Sequence, residues 1–280
     1  MSKSQYYVAS FSGGKDSTAM VLHMIERGDH LDEVMFCDTT MEFPAMYRHV
    51  EKVRRVIEEA GIKFTRLEGP RSFEHLLLDY KPKKKDPKLA KHRGKSWPSP
   101  LVRWCTRDLK IDVIDKHLRG LRKKYTVIQY VGIAADESHR LLREQQKDPD
   151  KRYPLVRWGW SENDAMQYCL DNGYDWEGLY NIFDRVSCWC CPFKSLEELR
   201  KLRTHFPALW LRLQTLDDIT WRQFRADYSV RDLGKRFALE ERLEEAGHNI
   251  KNRAFFTDLK RLLAEEVTAE EILNERVKRE

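Results

Sequence analysis

The stretch Tyr6-Tyr7-Val8-Ala9-Ser10-Phe11-Ser12-Gly13-Gly14-Lys15-Asp16-Ser17 decides the fold. Its first half is a short apolar, β-prone run, and its second half is a polar turn. From Asp16 the pattern becomes helical: Ala19, Met20, Leu22, His23 and Ile25 carry it to Arg27-Gly28. The turn therefore joins a strand to the N-terminus of a helix. Two glycines let its backbone approach an anion and present N–H groups, and the helix start adds partial positive charge. Lys15 can neutralise phosphate oxygens, and Ser12 and Ser17 bring hydroxyl donors. Asp16 fits beside phosphates as a helix cap or through Mg²⁺. The bland alternative is a plain strand-to-helix turn. It is not a Walker loop, and Gly94-Lys95-Ser96 is not one either, because Leu89 stands where that motif needs its first Gly.

Working outward, Glu33-Val34-Met35-Phe36-Cys37 reads as a second strand, ending at Asp38-Thr39-Thr40. Met46, Val50, Val53, Val56 and Ile57 give a second helix, and Lys63–Leu67 a third strand. Such alternation predicts an α/β fold: a parallel twisted sheet with helices on both faces. Right-handed crossovers place the strands' C-terminal ends on one edge, where ligands bind. A helix is expected after Trp104-Cys105-Thr106 and a buried strand at Thr126–Val131, ending at Gly132. The chain is then polar from Arg140 to Tyr153. Ser161-Glu162-Asn163-Asp164 has the spacing of a helix-capping box. Beyond residue 195 only helical periodicity remains, as in Phe206, Leu209, Trp210, Leu213 and Leu216, so a helical C-terminal subdomain is expected.

Composition excludes several classes. Of 280 residues, 41% are hydrophobic and 34% charged, too apolar for a disordered chain and too polar for a membrane bundle. No run approaches the ~20 apolar residues of a spanning helix, so no membrane role is expected. The N-terminus has no secretory apolar core of ~7–15 residues, so a cytoplasmic protein is expected. Six cysteines in that compartment read as core thiols, metal ligands or reactive groups. The net charge of +6 is uneven. Lys81–Tyr125 holds 16 Lys/Arg against 4 Asp, while the remainder is net −6. The basic segment reads either as a solvated loop or as a contact with nucleotide phosphates or a nucleic acid, tRNA or DNA.

Ser12–Ser17 after the first strand resembles the pyrophosphate (PP) loop of the adenine-nucleotide α-hydrolase superfamily. That superfamily includes ATP pyrophosphatases, tRNA thiolation enzymes and phosphoadenosine phosphosulfate (PAPS) reductases. Asp38-Thr39-Thr40-Met41-Glu42-Phe43-Pro44 is similar to the reductase-like branch's Asp-Thr-Gly…Phe-Pro segment. Gly132-Ile133-Ala134-Ala135-Asp136-Glu137-Ser138-His139-Arg140 is similar to its Gly-Ile-Arg-x-x-Glu-Ser-x-x-Arg region. Tyr153-Pro154-Leu155 and Cys188-Trp189-Cys190-Cys191-Pro192 resemble phage and bacterial members. The resemblance covers residues 6–195. It implies a nucleotide-binding PP-loop domain over 1–194, with a basic insertion at 79–104, and helices over 195–280. Two departures stand out. Ala134 replaces an Arg of many members, and no cysteine follows Cys191, whereas the reductases proper carry a reactive Cys near the C-terminus.

Position and resemblance together give nucleotide contacts at Ser10, Ser12, Gly13, Gly14, Lys15, Asp16, Ser17, Asp38, Thr39, Arg107, Gly132, Glu137 and Arg140, with Asp136 beside them. Catalytic roles fall to Lys15, Asp16 and Cys105. Cys188 and Cys191 have Cys-x-x-Cys spacing. The resemblance adds Cys105 to a three-cysteine 4Fe–4S site, with Cys190 as an alternative ligand. Zinc and metal-free thiols remain open. Cys37 and Cys169 read as core thiols. Arg107 and Lys110 face either a ligand or solvent. Trp97, Trp104, Trp158, Trp160 and Trp189 read as core or as base-stacking groups. The resemblance implies cleavage of ATP to adenylate and pyrophosphate in sulfur transfer, with Mg²⁺. The alternatives are reduction of an adenylyl sulfate (APS or PAPS), and nucleotide or nucleic-acid binding without catalysis.

Overall fold

The computed structural model describes residues 3–81, 91–137, 140–141 and 149–278. Lys83, Lys84 and Lys85 of the basic segment lie outside the described residues, as do Ser138 and His139. The chain divides into two compact units: residues 1–75 with 100–189, and residues 76–99 with 190–280.

The first unit is built on five parallel strands: β1 (Gln5–Phe11), β2 (Glu33–Asp38), β3 (Lys63–Glu68), β4 (Thr126–Val131) and β5 (Lys151–Arg152). Their order is β3-β2-β1-β4-β5. The chain moves outward one way from β1 to β3, then returns to β1's other side as β4. The crevice between the C-terminal ends of β1 and β4 is thus the topological switch point. Register pairs Ser10 with Met35 on one side and with Val131 on the other.

Period-2 alternation sends successive side chains to opposite faces. Val8, Met35 and Val127 pack against Leu118 of α3 (Asp112–Arg122) on one face. Ala9, Phe11, Val34 and Phe36 are buried on the other, where α1 (Lys15–Glu26) and α2 (Pro44–Glu59) lie adjacent. Helices thus cover both faces, as the alternating pattern requires. Short elements went unread in the sequence, among them β5, which has only two residues, and α4 (Pro154–Trp158), a single short helix. α5 (Glu162–Asp171) begins in the capping box expected at Ser161: its hydroxyl accepts from Asp164 N–H, and the Asp164 carboxylate accepts from Ser161 N–H.

The second unit is helical: α6 (Leu196–His205), α7 (Pro207–Ile219), α8 (Val230–Glu245), α9 (Arg253–Leu263) and α10 (Ala269–Val277). Its core joins Leu239, Leu243, Phe255, Leu259, Leu262 and Ile272. The 76–99 stretch belongs here. Trp97 is buried and its indole donates to Asp217 at 3.0 Å, while Ser96 Oγ donates to Arg222 O at 3.1 Å. No helix among the described residues is long and apolar enough to cross a membrane.

Candidate nucleotide site

The Ser12–Ser17 turn occupies the switch point and is closed by its own hydroxyls. Ser17 Oγ accepts from Ser12 N–H at 3.1 Å and lies 3.0 Å from Ser12 Oγ. Gly13 has φ +79, and a Cβ there would sit 2.6 Å from Met46 Sδ. Its carbonyl accepts from the buried indole of Trp176 at 2.7 Å. Gly132, at the end of β4, passes so close that a Cβ would lie 3.0 Å from Ser17 N and Cα. A second layer backs the turn. Thr18 Oγ1 lies 3.0 Å from His49 Nε2, and the His49 ring stacks on Trp176 at 4.4 Å. Burial, helped by the nearby Lys52 ammonium, pushes the His49 pKa down to about 3.

Lys15 is the chemical centre. Its side chain is only 12% exposed, and its ammonium donates to Asp16 Oδ1 at 2.9 Å and to Glu162 Oε2 at 2.6 Å. Burial works against this charge, but the two carboxylate hydrogen bonds outweigh it and raise the pKa above its ordinary value. Asp16 is raised as well. Burial is the main cause, and Glu162 and Glu137 add repulsion against the opposing pull of Lys15. Glu162 was expected only at a helix start; its packing beside Lys15 is tertiary. The one signal for it is the capping box, which fixes where α5 begins. Asp136 accepts from Glu162 N–H at 3.1 Å, so this loop and α5 are tied together. Tyr180, also unread in the sequence, has its hydroxyl accepting from Lys15 N–H at 3.0 Å.

The other expected residues divide. Glu137 holds Arg140 at 3.1 Å. Ala134 is buried, and its N–H donates to Glu137 Oε2 at 3.4 Å. Asp38 is buried and accepts from Arg66, from Tyr47 Oη at 2.8 Å and from Thr40 N–H at 2.7 Å. It shapes the end of β2. Thr39 Oγ1 donates to Glu42 at 3.0 Å and lies 3.5 Å from Cys188 Sγ. Arg107 is exposed and paired with Asp108 at 2.8 Å. Lys110 turns inward, where desolvation is the largest single effect, but interactions with Cys188, Glu42, Cys37 and Cys105 together outweigh it and raise its pKa. Arg107 and Lys110 therefore do not share a face.

The Lys110 ammonium thus interacts electrostatically with the thiols of Cys105 and Cys188, and Cys188 Sγ also donates to Glu42 Oε1 at 3.4 Å. Cys190 and Cys191 belong to the second unit. The six cysteines form no disulfide. Among the described residues no group of three or more His, Cys, Asp or Glu is arranged to hold a metal ion. Cys37 donates to Leu109 O at 3.0 Å and Cys169 to Lys15 O at 3.6 Å. Burial pushes these thiols up to about 11 and about 12. Trp97, Trp104 and Trp189 are buried core, whereas Trp158 and Trp160 flank His23, each with ring centroid 4.7 Å away.

Residues 6–194 match the phosphoadenosine phosphosulfate reductase domain, well over half of the chain. The chain belongs to this family. The expected resemblance and α/β fold both hold, and the phosphoadenosine phosphosulfate reductase domain takes in the phosphate turn and all of the five-stranded sheet but its first residue, Gln5. Two uncharacterized proteins of Methanocaldococcus jannaschii are similar. One is 28% identical over 72% of this chain and 39% of its own length, the other 24% identical over 75% and 47%. The chain spans less than half the length of these relatives. The U34-tRNA thiolase NcsA from Methanococcus maripaludis, solved with its 4Fe–4S cluster, aligns with a TM-score of 0.39 and 13% identity, covering 90% of this chain and 77% of its own. That likeness is too distant to transfer a reaction.

Proposed function

We propose that this chain binds ATP at Ser12–Ser17 and cleaves it between the α and β phosphates in a sulfur-transfer reaction on a nucleic acid. The observation that carries this reading is Lys15. A lysine at the head of α1, at the switch point, is held charged between Asp16 and Glu162. A polyphosphate entering the turn meets backbone N–H groups, the helix N-terminus and this ammonium. Mg²⁺ is commonly held by one or two carboxylates plus substrate phosphates, so Asp16 and Glu162 suit it without a preformed cage. Bound there, it would neutralise phosphate charge. In the proposed reaction a substrate oxygen attacks the α-phosphorus and pyrophosphate leaves. A sulfur nucleophile then displaces AMP. The protein positions the groups and stabilises charge.

A second reading rests on Cys105 and Cys188, whose thiols interact electrostatically with the Lys110 ammonium. An ammonium near a thiol favours the thiolate. In an adenylyl sulfate reductase a thiolate attacks the sulfate sulfur and the nucleotide phosphate leaves. A second thiol then displaces sulfite and forms a disulfide, which an external dithiol reduces. The two readings separate in one assay: pyrophosphate release from ATP with Mg²⁺, against sulfite release from an adenylyl sulfate with a dithiol. Lys15→Ala should abolish pyrophosphate release and weaken ATP binding while the circular dichroism spectrum stays unchanged. Undiminished ATP affinity in calorimetry of that variant would sink the placement.

A further inference from the structure

Two side chains from one short stretch grip the phosphate turn. The Trp176 indole donates to Gly13 O at 2.7 Å, and the Tyr180 hydroxyl accepts from Lys15 N–H at 3.0 Å. The backbone between them is unusual: Trp176, Glu177 and Gly178 are all left-handed, with φ of +50, +53 and +78. A left-handed residue with a side chain is strained, and such strain persists only where the surroundings enforce it. Here Trp176 is buried, its ring meets Tyr180 edge-on at 4.8 Å and stacks with His49 at 4.4 Å. Arg48 pairs with both carboxylate oxygens of Glu177. Backbone strain of this kind clusters at ligand sites.

What the strained stretch delivers is a phenol at the turn. A Cβ on Gly14 would lie 3.5 Å from the Tyr180 oxygen and 3.5 Å from Ser12 Oγ, so that oxygen sits against the turn itself. A phenol has one proton to donate and lone pairs with which to accept. Lys15 N–H takes a lone pair, and among the described residues the hydroxyl proton has no acceptor. Desolvation is the main cause that pushes the Tyr180 pKa up; the Lys15 N–H bond opposes it, and the Asp16 and Glu162 carboxylates add to it. The hydroxyl therefore keeps its proton at neutral pH. A desolvated donor without an acceptor is costly, and a ligand oxygen arriving at the turn removes that cost.

We propose that Tyr180 is a phosphate-binding residue of this site: its hydroxyl, held by Lys15 N–H, donates to an oxygen of the polyphosphate seated on the turn. This rests on the ATP-binding reading of Ser12–Ser17 and adds to it a donor from outside the hexapeptide. Accepting from a helix N–H polarises the hydroxyl and strengthens its own donation, as in any chain of hydrogen bonds. Asp16 and Glu162 already share the Lys15 ammonium, and a neutral phenol adds a phosphate contact without disturbing that pairing.

The test uses the full chain, with ATP and inorganic pyrophosphate titrated separately by calorimetry in the presence of Mg²⁺. Tyr180→Phe keeps the ring against Trp176 and removes the hydroxyl. Affinity for both ligands should fall about 10- to 100-fold, the range for a hydrogen bond to a charged group. Loss of the Lys15 N–H contact would also weaken binding, so a second variant separates the two roles. Tyr180→3-fluorotyrosine keeps every contact of the phenol but makes the hydroxyl a better donor and a poorer acceptor. Donation to phosphate then gives tighter binding of both ligands, whereas a hydroxyl that only props Lys15 N–H gives weaker binding. Unchanged affinity in Tyr180→Phe, or unchanged or weaker binding in the fluorotyrosine protein, would overturn the proposal and leave the ATP site standing. Wild-type protein that binds neither ATP nor pyrophosphate would remove the ATP reading and this inference with it.

Discussion

Gly13 and Gly132 show how single residues set the phosphate turn. At Gly13 the backbone is left-handed, with φ +79, which costs a side-chain-bearing residue roughly 1–2 kcal/mol. A Cβ there meets a flexible Met46 thioether, which can move. Gly13→Ala should therefore lower the urea midpoint modestly. At Gly132 the conformation is ordinary, but the neighbour is Ser17 backbone, which cannot move without displacing the turn. Gly132→Ala should weaken ATP binding more than it weakens stability, as calorimetry and urea titration on the same variant would show. His49 gives a pH signature. Its folded pKa of about 3 lies below its unfolded value of 6.5. The unfolded chain therefore binds the extra proton between those values. Stability is full above pH 6.5 and falls as pH drops toward 3, by up to about 1.4 kcal/mol per pH unit from this group. His49→Asn, compared with wild type by denaturant titration at pH 7 and pH 5, should lose less stability on acidification. Equal losses would show that this histidine is not the source.

At the scale of elements, strands and caps were legible because their signals are local. β1 and β4 are mainly apolar, β-prone runs with glycine shortly after their ends, and the box at Ser161 formed as its spacing required. β5 was not legible. Its two residues, Lys151 and Arg152, carry no alternation, and they are strand only because β4 offers an edge at Gln129 and Tyr130. The site divides the same way. The phosphate turn was readable as a hexapeptide, whereas the contacts of Glu162, Tyr180 and Trp176 with it depend on tertiary packing, which periodicity does not encode. The inward turn of Lys110 was equally invisible, since only the folded chain brings its ammonium within electrostatic range of Cys37, Cys105 and Cys188. Because α5 carries Glu162 to Lys15, its cap matters twice. Ser161→Ala should cost about 1 kcal/mol of stability, the usual value of an N-cap hydroxyl. Glu162→Gln should leave the fold intact and lower the Lys15 pKa, because it replaces a charged acceptor with a neutral one. Differential labelling of Lys15 by an amine reagent across pH would report that change.

On the scale of the whole molecule, charge is segregated. The net +6 comes from a segment at +12 against a remainder at −6, so a polyanion is attracted by that stretch of sequence and repelled by the rest. Part of that segment is α3. Its buried Leu118 faces the sheet, while Lys116, Arg119 and, just past its end, Lys123 are exposed. An amphipathic helix of this kind is compatible with a solvated face, and the two roles differ in salt dependence. If the segment meets single-stranded nucleic acid, each lost phosphate contact removes about 0.7 from the log–log slope. Replacing Lys116, Arg119 and Lys123 together with Gln should flatten the slope by about 2 if all three make contacts. ATP affinity should stay unchanged, because none of the three belongs to the phosphate turn. Stability should change little, since substitutions at exposed positions usually stay within about 0.5 kcal/mol per site. Filter binding of a labelled tRNA and an oligonucleotide across a salt series, beside calorimetry with ATP, reads both quantities. A slope identical in wild type and the triple variant would return α3 to a solvated surface, and the polyanion contact would then have to lie elsewhere in the basic segment.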